Sequence, residues 1–160
     1  LKPRHDVRKE ALNVLRIEKG LLTHAELHGR TTAYDLGLQA MMSTKKDFIG
    51  KAASERPGLV DPGRERLVGL IPTGAVKQLL AGAHLFDREA EATRENDQGY
   101  ITSACFSPTL GQSIALAFLK RGPERLGEEI RMVDALRGIE TTCKVVPPQF
   151  YDPDGGRARD

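Results

Sequence analysis

The sequence predicts an α+β chain in which a short helical N-terminal segment leads into six short antiparallel strands, arranged as a small barrel or a sandwich. Three observations carry that expectation. Apolar residues recur at helical spacing near the start of the chain. The period then drops from 3.6 to 2 beyond residue 66. Between the two regimes lies "PGLVDPGRER" (57–66), rich in Pro, Gly and charge, which reads as a domain boundary.

Taken in order, Val7, Ala11, Val14 and Leu15 mark an amphipathic helix over 7–17, with Gly20 as its stop signal. Such a face needs a partner, so the helix should either pack on the strands or drive self-association. Residues 21–30 hold no sustained period and read as loop or short strand. Thr32-Ala33-Tyr34-Asp35 matches a capping box with Asp in place of Glu and predicts a helix to about Met42. Asp47 is a suitable N-cap for a further helix, "FIGKAASER", ended by Pro57-Gly58. Strands are expected at 66–71, 83–87, 99–106, 112–120, 128–134 and 138–146, each bounded by Gly, Pro or a charged turn. The ending "VVPPQFYDPDGGRARD" is turn-rich and reads as surface-laid or frayed.

Composition narrows the function classes. At 160 residues a compact chain buries about 70% of its unfolded surface, enough for a core without staples. A net charge of +2 with dispersed Lys and Arg argues against a nucleic-acid partner. No apolar run approaches the ~20 residues of a membrane helix. Two widely spaced cysteines, Cys105 and Cys143, fit a reducing cytoplasm.

The stretch "GYITSACFSPTLGQSIALAFLKRG" (99–122) poses the sharpest question, because Cys105, Ser107 and Thr109 sit at a Ser-Pro break. Alternation places Ile101, Ser103 and Cys105 on one strand face, and Tyr100, Thr102, Ala104 and Phe106 on the other. After the turn, Ile114, Leu116 and Phe118 share one face, with Ala115, Ala117 and Leu119 opposite. No base lies near in sequence to activate a nucleophile, so the stretch reads as a strand pair.

Other candidates have plainer readings. His24 and His28 are spaced as zinc ligands on a helix, but Glu26 between them breaks the His-Glu-x-x-His order and further ligands are lacking. Asp152-Pro153-Asp154-Gly155 opens like a calcium loop without the rest of its ligand series and reads as a turn. Lys45, Lys46, Arg64 and Arg66 read as solvated charge, with a polyanionic tail as the functional alternative. Phe150-Tyr151 would cap the barrel end or anchor an interface. No catalytic residue and no metal site is assigned.

The same residues carry a resemblance. The 99–122 stretch resembles the C-terminal barrel of the glycine-cleavage T-protein (aminomethyltransferase) family. "VLRIEKG" (14–20) resembles the Leu-Arg-x-Glu-x-Gly element of that family's folate-binding domain, and "KKDFIGK" (45–51) resembles the element before its final domain. "GRTTAYDLGL" (29–38) and "FYDPDGGR" (150–157) resemble one branch, the alpha subunits of heterotetrameric sarcosine oxidase. The five stretches fall in the family's order along almost the whole chain. Pro147-Pro148 departs from the Ser-Pro of many relatives.

The resemblance implies an aminomethyltransferase-type six-stranded barrel over 63–150, preceded by the end of a folate-binding domain over 1–57 and followed by a tail over 151–160. It implies Glu18 as a folate ligand, because a carboxylate can accept the ring N–H and exocyclic amine of a pterin in a fork. On the residues alone, Glu18 would be a surface acid pairing with Arg16 or Lys19, and Arg16 a structural cation. The family's N-terminal half, with its catalytic aspartate and much of the pterin pocket, has no counterpart here, nor does a GxGxxG fingerprint occur. The resemblance therefore implies the last part of a longer subunit. Its parent would oxidise sarcosine to glycine and pass the one-carbon unit to tetrahydrofolate. FMN, FAD, NAD and the other subunits would belong to the rest of the complex. Two alternatives are a piece of an aminomethyltransferase or related folate-dependent demethylase, and a structural barrel that mediates domain or subunit contacts.

Overall fold

A computed structural model describes residues 4–158, with side chains described from residue 9 to residue 157. The chain forms α1 (Arg4–Lys19), α2 (Lys51–Ser54) and α3 (Pro57–Val60). It continues into β1 (Glu65–Pro72), β2 (His84–Asp87), β3 (Gly99–Ser107), β4 (Gln112–Lys120), β5 (Glu129–Asp134) and β6 (Ile139–Val146). Each strand lies within two residues of its expected bounds. The six close into an antiparallel barrel in the order β1-β4-β3-β2-β5-β6, with β6 pairing back onto β1 from Gly69↔Val146 to Pro72↔Cys143. Closure leaves no open sheet edge, which settles the choice between barrel and sandwich.

β4 shows how the wall is built. Ala115, Ala117 and Leu119 point into the barrel core with Val68, Leu85 and Met132. Ile114, Leu116 and Phe118 point outward into a second apolar cluster with Ile17 and Leu36. Both faces of the strand are therefore buried, the outer one beneath α1 and the segment that follows it.

β3 departs from simple alternation. Its pairing with β4 shifts between Ile101 and Ser103, a β-bulge at Thr102. Ile101 now shares the interior with Ala104, while Tyr100 and Cys105 lie on the outer face. The expected grouping of Ile101 with Ser103 and Cys105 fails because one extra residue reverses the face of everything beyond it. The bulge also brings the adjacent hydroxyls of Thr102 and Ser103 to one acceptor, described below.

The helical segment differs more. α1 docks through Ile17, which is fully buried, whereas Ala11 and Leu15 of the expected apolar face are exposed and Val7 lies outside the residues whose side chains are described. The polar side chains Arg16 and Glu18 set this rotation. The Thr32–Asp35 capping box does form, with Thr32 N–H donating to Asp35 Oδ2 (2.9 Å) and Asp35 N–H to Thr32 Oγ1 (3.2 Å). It closes only one turn, because Gly37 adopts φ +71° and the Asp35 carbonyl accepts from Leu67 N–H of β1 at 2.7 Å. A 3-10 turn at Gln39–Met41 stands where the rest of the predicted helix would be. Asp47 is not an N-cap: Gly50 takes that place with φ +93°, and Asp47 pairs with Lys51 at 3.4 Å. Pro57 starts α3 rather than ending a longer helix, since proline tolerates the first helical position.

The C-terminal segment is tied down rather than frayed. Phe150 and Tyr151 N–H groups both donate to the Glu18 carbonyl at 2.9 Å, and Lys19 Nζ bonds the Asp152 carbonyl and pairs with its carboxylate. Phe150 caps no barrel end. Its ring crosses Gly69 on the outer wall, where a β-carbon would sit 2.7 Å from Cζ.

Two glycines isolate the contribution of this strap. Gly20 and Gly111 have φ of +72° and +67°, but a β-carbon on Gly20 would lie 2.6 Å from the Pro148 carbonyl oxygen, while Gly111 has open space. Gly111→Ala should cost about 1 kcal/mol from left-handed strain alone. Gly20→Ala should cost roughly 2–4 kcal/mol by adding overpacking to the same strain. Urea unfolding of the two variants measures the difference, and equal costs would mean that the strap yields freely.

Candidate functional site at the end of helix α1

The last turn of α1 ends in a Schellman arrangement. Gly20 N–H donates to the Ile17 carbonyl at 3.1 Å and Leu21 N–H to the Arg16 carbonyl at 2.7 Å, with Gly20 supplying the positive φ. This fixes where Arg16, Glu18 and Lys19 leave the helix. Each of the three then meets a different partner.

Glu18 is buried against β3, at 3% exposure, and pairs with neither Arg16 nor Lys19. Ser107 Oγ donates to Glu18 Oε1 at 2.6 Å and itself accepts from Leu110 N–H at 3.0 Å. Oε2 has no hydrogen-bond partner among the described residues. The Glu18 main chain is held in turn by the strap. Side chain and backbone are thus both anchored, with one carboxylate oxygen left over.

Arg16 reaches the bulge. Its Nη2 donates to Ser103 Oγ at 2.7 Å, and Ser103 Oγ donates to Glu26 Oε1 at 2.6 Å. Thr102 Oγ1 lies 2.7 Å from the same oxygen. Glu26 Oε2 accepts from Thr23 N–H at 2.9 Å and faces Arg16 Nη1 at 3.4 Å. Glu26 is fully buried. Burial pushes its carboxyl up, but hydrogen bonds from Ser103, Thr23 and Thr102 and the Arg16 charge outweigh that and hold it below its ordinary value. Arg16 is structural, as expected, with a carboxylate as its partner. Glu26 carried no signal in the sequence beyond spoiling a zinc motif, since the bulge that gathers its partners is a tertiary feature.

The remaining candidates resolve as follows. The Ser107 hydroxyl is buried and committed on both sides. Burial, followed by the Glu18 charge, pushes the Cys105 thiol up to about 11, and burial pushes Cys143 to about 12. Neither thiol is an activated nucleophile. His24 is exposed while His28 sits under Tyr100, 3.5 Å from its hydroxyl, and the described residues contain no cluster able to hold a metal. Asp152 is engaged by Lys19 and the Arg157 N–H. Arg64 is not solvated charge: it grips Asp35 with Nε and Nη2 at 2.9 and 2.7 Å and so ties the 30–35 loop to β1. A cleft of about 930 Å³ opens beside that pair, between His28, Leu59, Glu65 and Lys120. Glu18 lines neither this cleft nor the smaller ones beside His84 and Leu27.

A closed six-stranded antiparallel barrel, strapped on its outer wall by a helix end and a C-terminal segment, defines the class. The chain belongs to the glycine cleavage T-protein C-terminal barrel domain family, whose model matches residues 65–152. It is 44% identical over 149 residues to the sarcosine oxidase subunit alpha of Rhizobium meliloti (strain 1021). The corresponding subunit of Corynebacterium sp. (strain U-96) is 32% identical over 151 residues. Each match covers 92% of this chain and 15% of the relative, so the chain spans about one seventh of the length of these subunits. The crystal structure of the glycine cleavage system aminomethyltransferase T from Bartonella henselae superposes with a TM-score of 0.74 at 28% identity. That match covers 89% of this chain and 38% of the other. Among the described residues no helix is long and apolar enough to cross a membrane.

Two solution measurements check the site. Because the folded Glu26 carboxyl lies below its ordinary 4.5, its stabilisation is present above about that pH and is lost as pH falls through the folded value. Wild type should therefore lose more stability than Glu26→Gln between pH 6 and pH 3 in denaturant titrations; parallel curves would refute a charged Glu26. At pH 8, with roughly one thiolate in a thousand at Cys105, iodoacetamide should label neither cysteine until the chain unfolds.

Proposed function

We propose that this chain is the C-terminal part of a sarcosine oxidase alpha subunit and supplies one wall of its tetrahydrofolate site. The observation that carries the reading is the 44% identity to such a subunit across 92% of the chain, which includes both the helix end and the barrel. In this reading residues 1–57 are the end of the folate-binding domain, 63–150 the barrel domain and 151–160 the tail. Glu18 contacts the pterin.

The fit rests on what Glu18 has to spare. Among the described residues Oε2 is uncommitted, and Oε1 keeps a second acceptor direction beside its bond from Ser107. Two N–H groups on one pterin edge match that pair. Burial strengthens such bonds, and the anchors on Glu18 mean that little ordering remains to be done on binding. The other walls of the pocket come from residues beyond these.

Tetrahydrofolate supplies the nitrogen atoms that take up the one-carbon unit released from sarcosine. The contribution of these residues is placement, since a carrier held beside the released unit captures it before water does. The parent would draw FMN, FAD and NAD and its partner subunits from elsewhere in the complex, in a reducing cytoplasm consistent with two unpaired cysteines. This chain alone carries no oxidase chemistry.

In the intact subunit, Glu18→Gln should weaken binding of 5-formyltetrahydrofolate, measured by calorimetry, by roughly 10- to 100-fold, as loss of a charged acceptor does. Sarcosine oxidation without folate should keep its rate. Unchanged folate affinity in a folded variant would remove Glu18 from the site.

A further inference from the structure

We propose that Glu26 is a positioning residue for Glu18, acting through Arg16 and Ser103. The inference rests on the folate contact proposed for Glu18 and adds a residue that makes no contact of its own with the ligand.

The last turn of α1 touches β3 at two polar points. Glu18 meets Ser107 at 2.6 Å, and Arg16, two residues earlier, meets Ser103 at 2.7 Å. The two serines lie four positions apart on the strand, so together they fix both the height and the rotation of the helix end along β3. The second point is not self-sufficient. Ser103 can accept from Arg16 only while its own proton is directed elsewhere, and Glu26 Oε1 takes that proton at 2.6 Å. The guanidinium also needs a counter-charge at this partly buried site, and Glu26 supplies it. Glu26 in turn is held by Thr23 and by Thr102 of the bulge, so the clamp is rigid from the strand to the helix.

Glu26→Gln removes the charge partner of Arg16 and leaves a single accepting oxygen for the Ser103 hydroxyl and the Thr23 N–H, so the clamp loses an acceptor on one side or the other. Of the two polar points on β3 only Ser107 would then remain, and with the strap holding only the Glu18 backbone, the carboxylate would lose part of its ordering before the ligand arrives. Positional slack of this kind lowers affinity without removing any ligand contact. A merely structural Glu26 would lower stability and leave the ligand's dependence on Glu18 unchanged. The two roles differ in additivity.

The test is a double-mutant cycle in the intact subunit with Glu18→Gln and Glu26→Gln, reading the 5-formyltetrahydrofolate dissociation constant and Tm for all four proteins. Glu26→Gln is expected to weaken binding about tenfold in the wild-type background and less than twofold when Glu18 is already Gln. Its Tm shift should be the same in both backgrounds. A tenfold loss in both backgrounds, or no loss in either, overturns the proposal while leaving Glu18 as the contact. No effect of Glu18→Gln would instead overturn the folate contact itself and the positioning role with it. Should Glu26→Gln fail to fold, Ser103→Ala severs the same clamp at its centre and is expected to show the same non-additivity.

Discussion

The outer face of β4 is apolar and has to be covered. Ile114, Leu116 and Phe118 would otherwise face water, and their burial beneath Ile17, Leu36 and Phe150 makes a second core outside the barrel. A barrel of this size fills its interior with small and branched side chains from every strand, as Ala115 and Ala117 do here. The interior therefore cannot absorb the outer set. Ile17, Leu22, Leu36, Leu38 and Phe150 meet that need, which is why an irregular segment over 20–38 and a Pro-rich stretch after β6 pack against the wall.

Covering one face with helix end and loop buries three carboxylates, and each of the three has partners. Glu18 has Ser107, Asp35 has the paired nitrogens of Arg64, and Glu26 has hydroxyls, an amide and a guanidinium. The carboxylates take the place of regular secondary structure in a stretch where few backbone groups pair in ladders. Removing one partner of such a group leaves a buried charge exposed to the full desolvation penalty, so these clamps act together or fail together. The bulge at Thr102 is the device that makes the most demanding of them possible, because an unbulged strand would send Thr102 and Ser103 to opposite faces.

The barrel was legible because its signals are local. Alternation places all six side chains from Ile114 to Leu119 on their correct faces, and turn residues bound all six strands. The helical segment was legible only in part. A capping box formed at Thr32 and Asp35, yet the helix it announced stopped at Gly37, because β1 and Arg64 hold Asp35 from outside the local sequence. The apolar pattern of α1 pointed to Ala11 and Leu15, whereas Arg16 and Glu18 decide the rotation. Of the site, Glu18 was found through a motif resemblance, not through spacing or composition. Glu26 was missed, since its partners Arg16, Thr102 and Ser103 come together only after the strand has bulged.

The central claim is that the end of α1 and the barrel wall form one cooperative unit. Native-state hydrogen exchange tests it most directly, by comparing the amides of Ile17, Glu18 and Lys19 with those of Ala115 to Leu119 across a series of low denaturant concentrations. The account predicts that both sets converge on the global unfolding free energy. Fast exchange of the helix end at every concentration, with β4 still protected, would show that the helix lies on the barrel without being clamped to it.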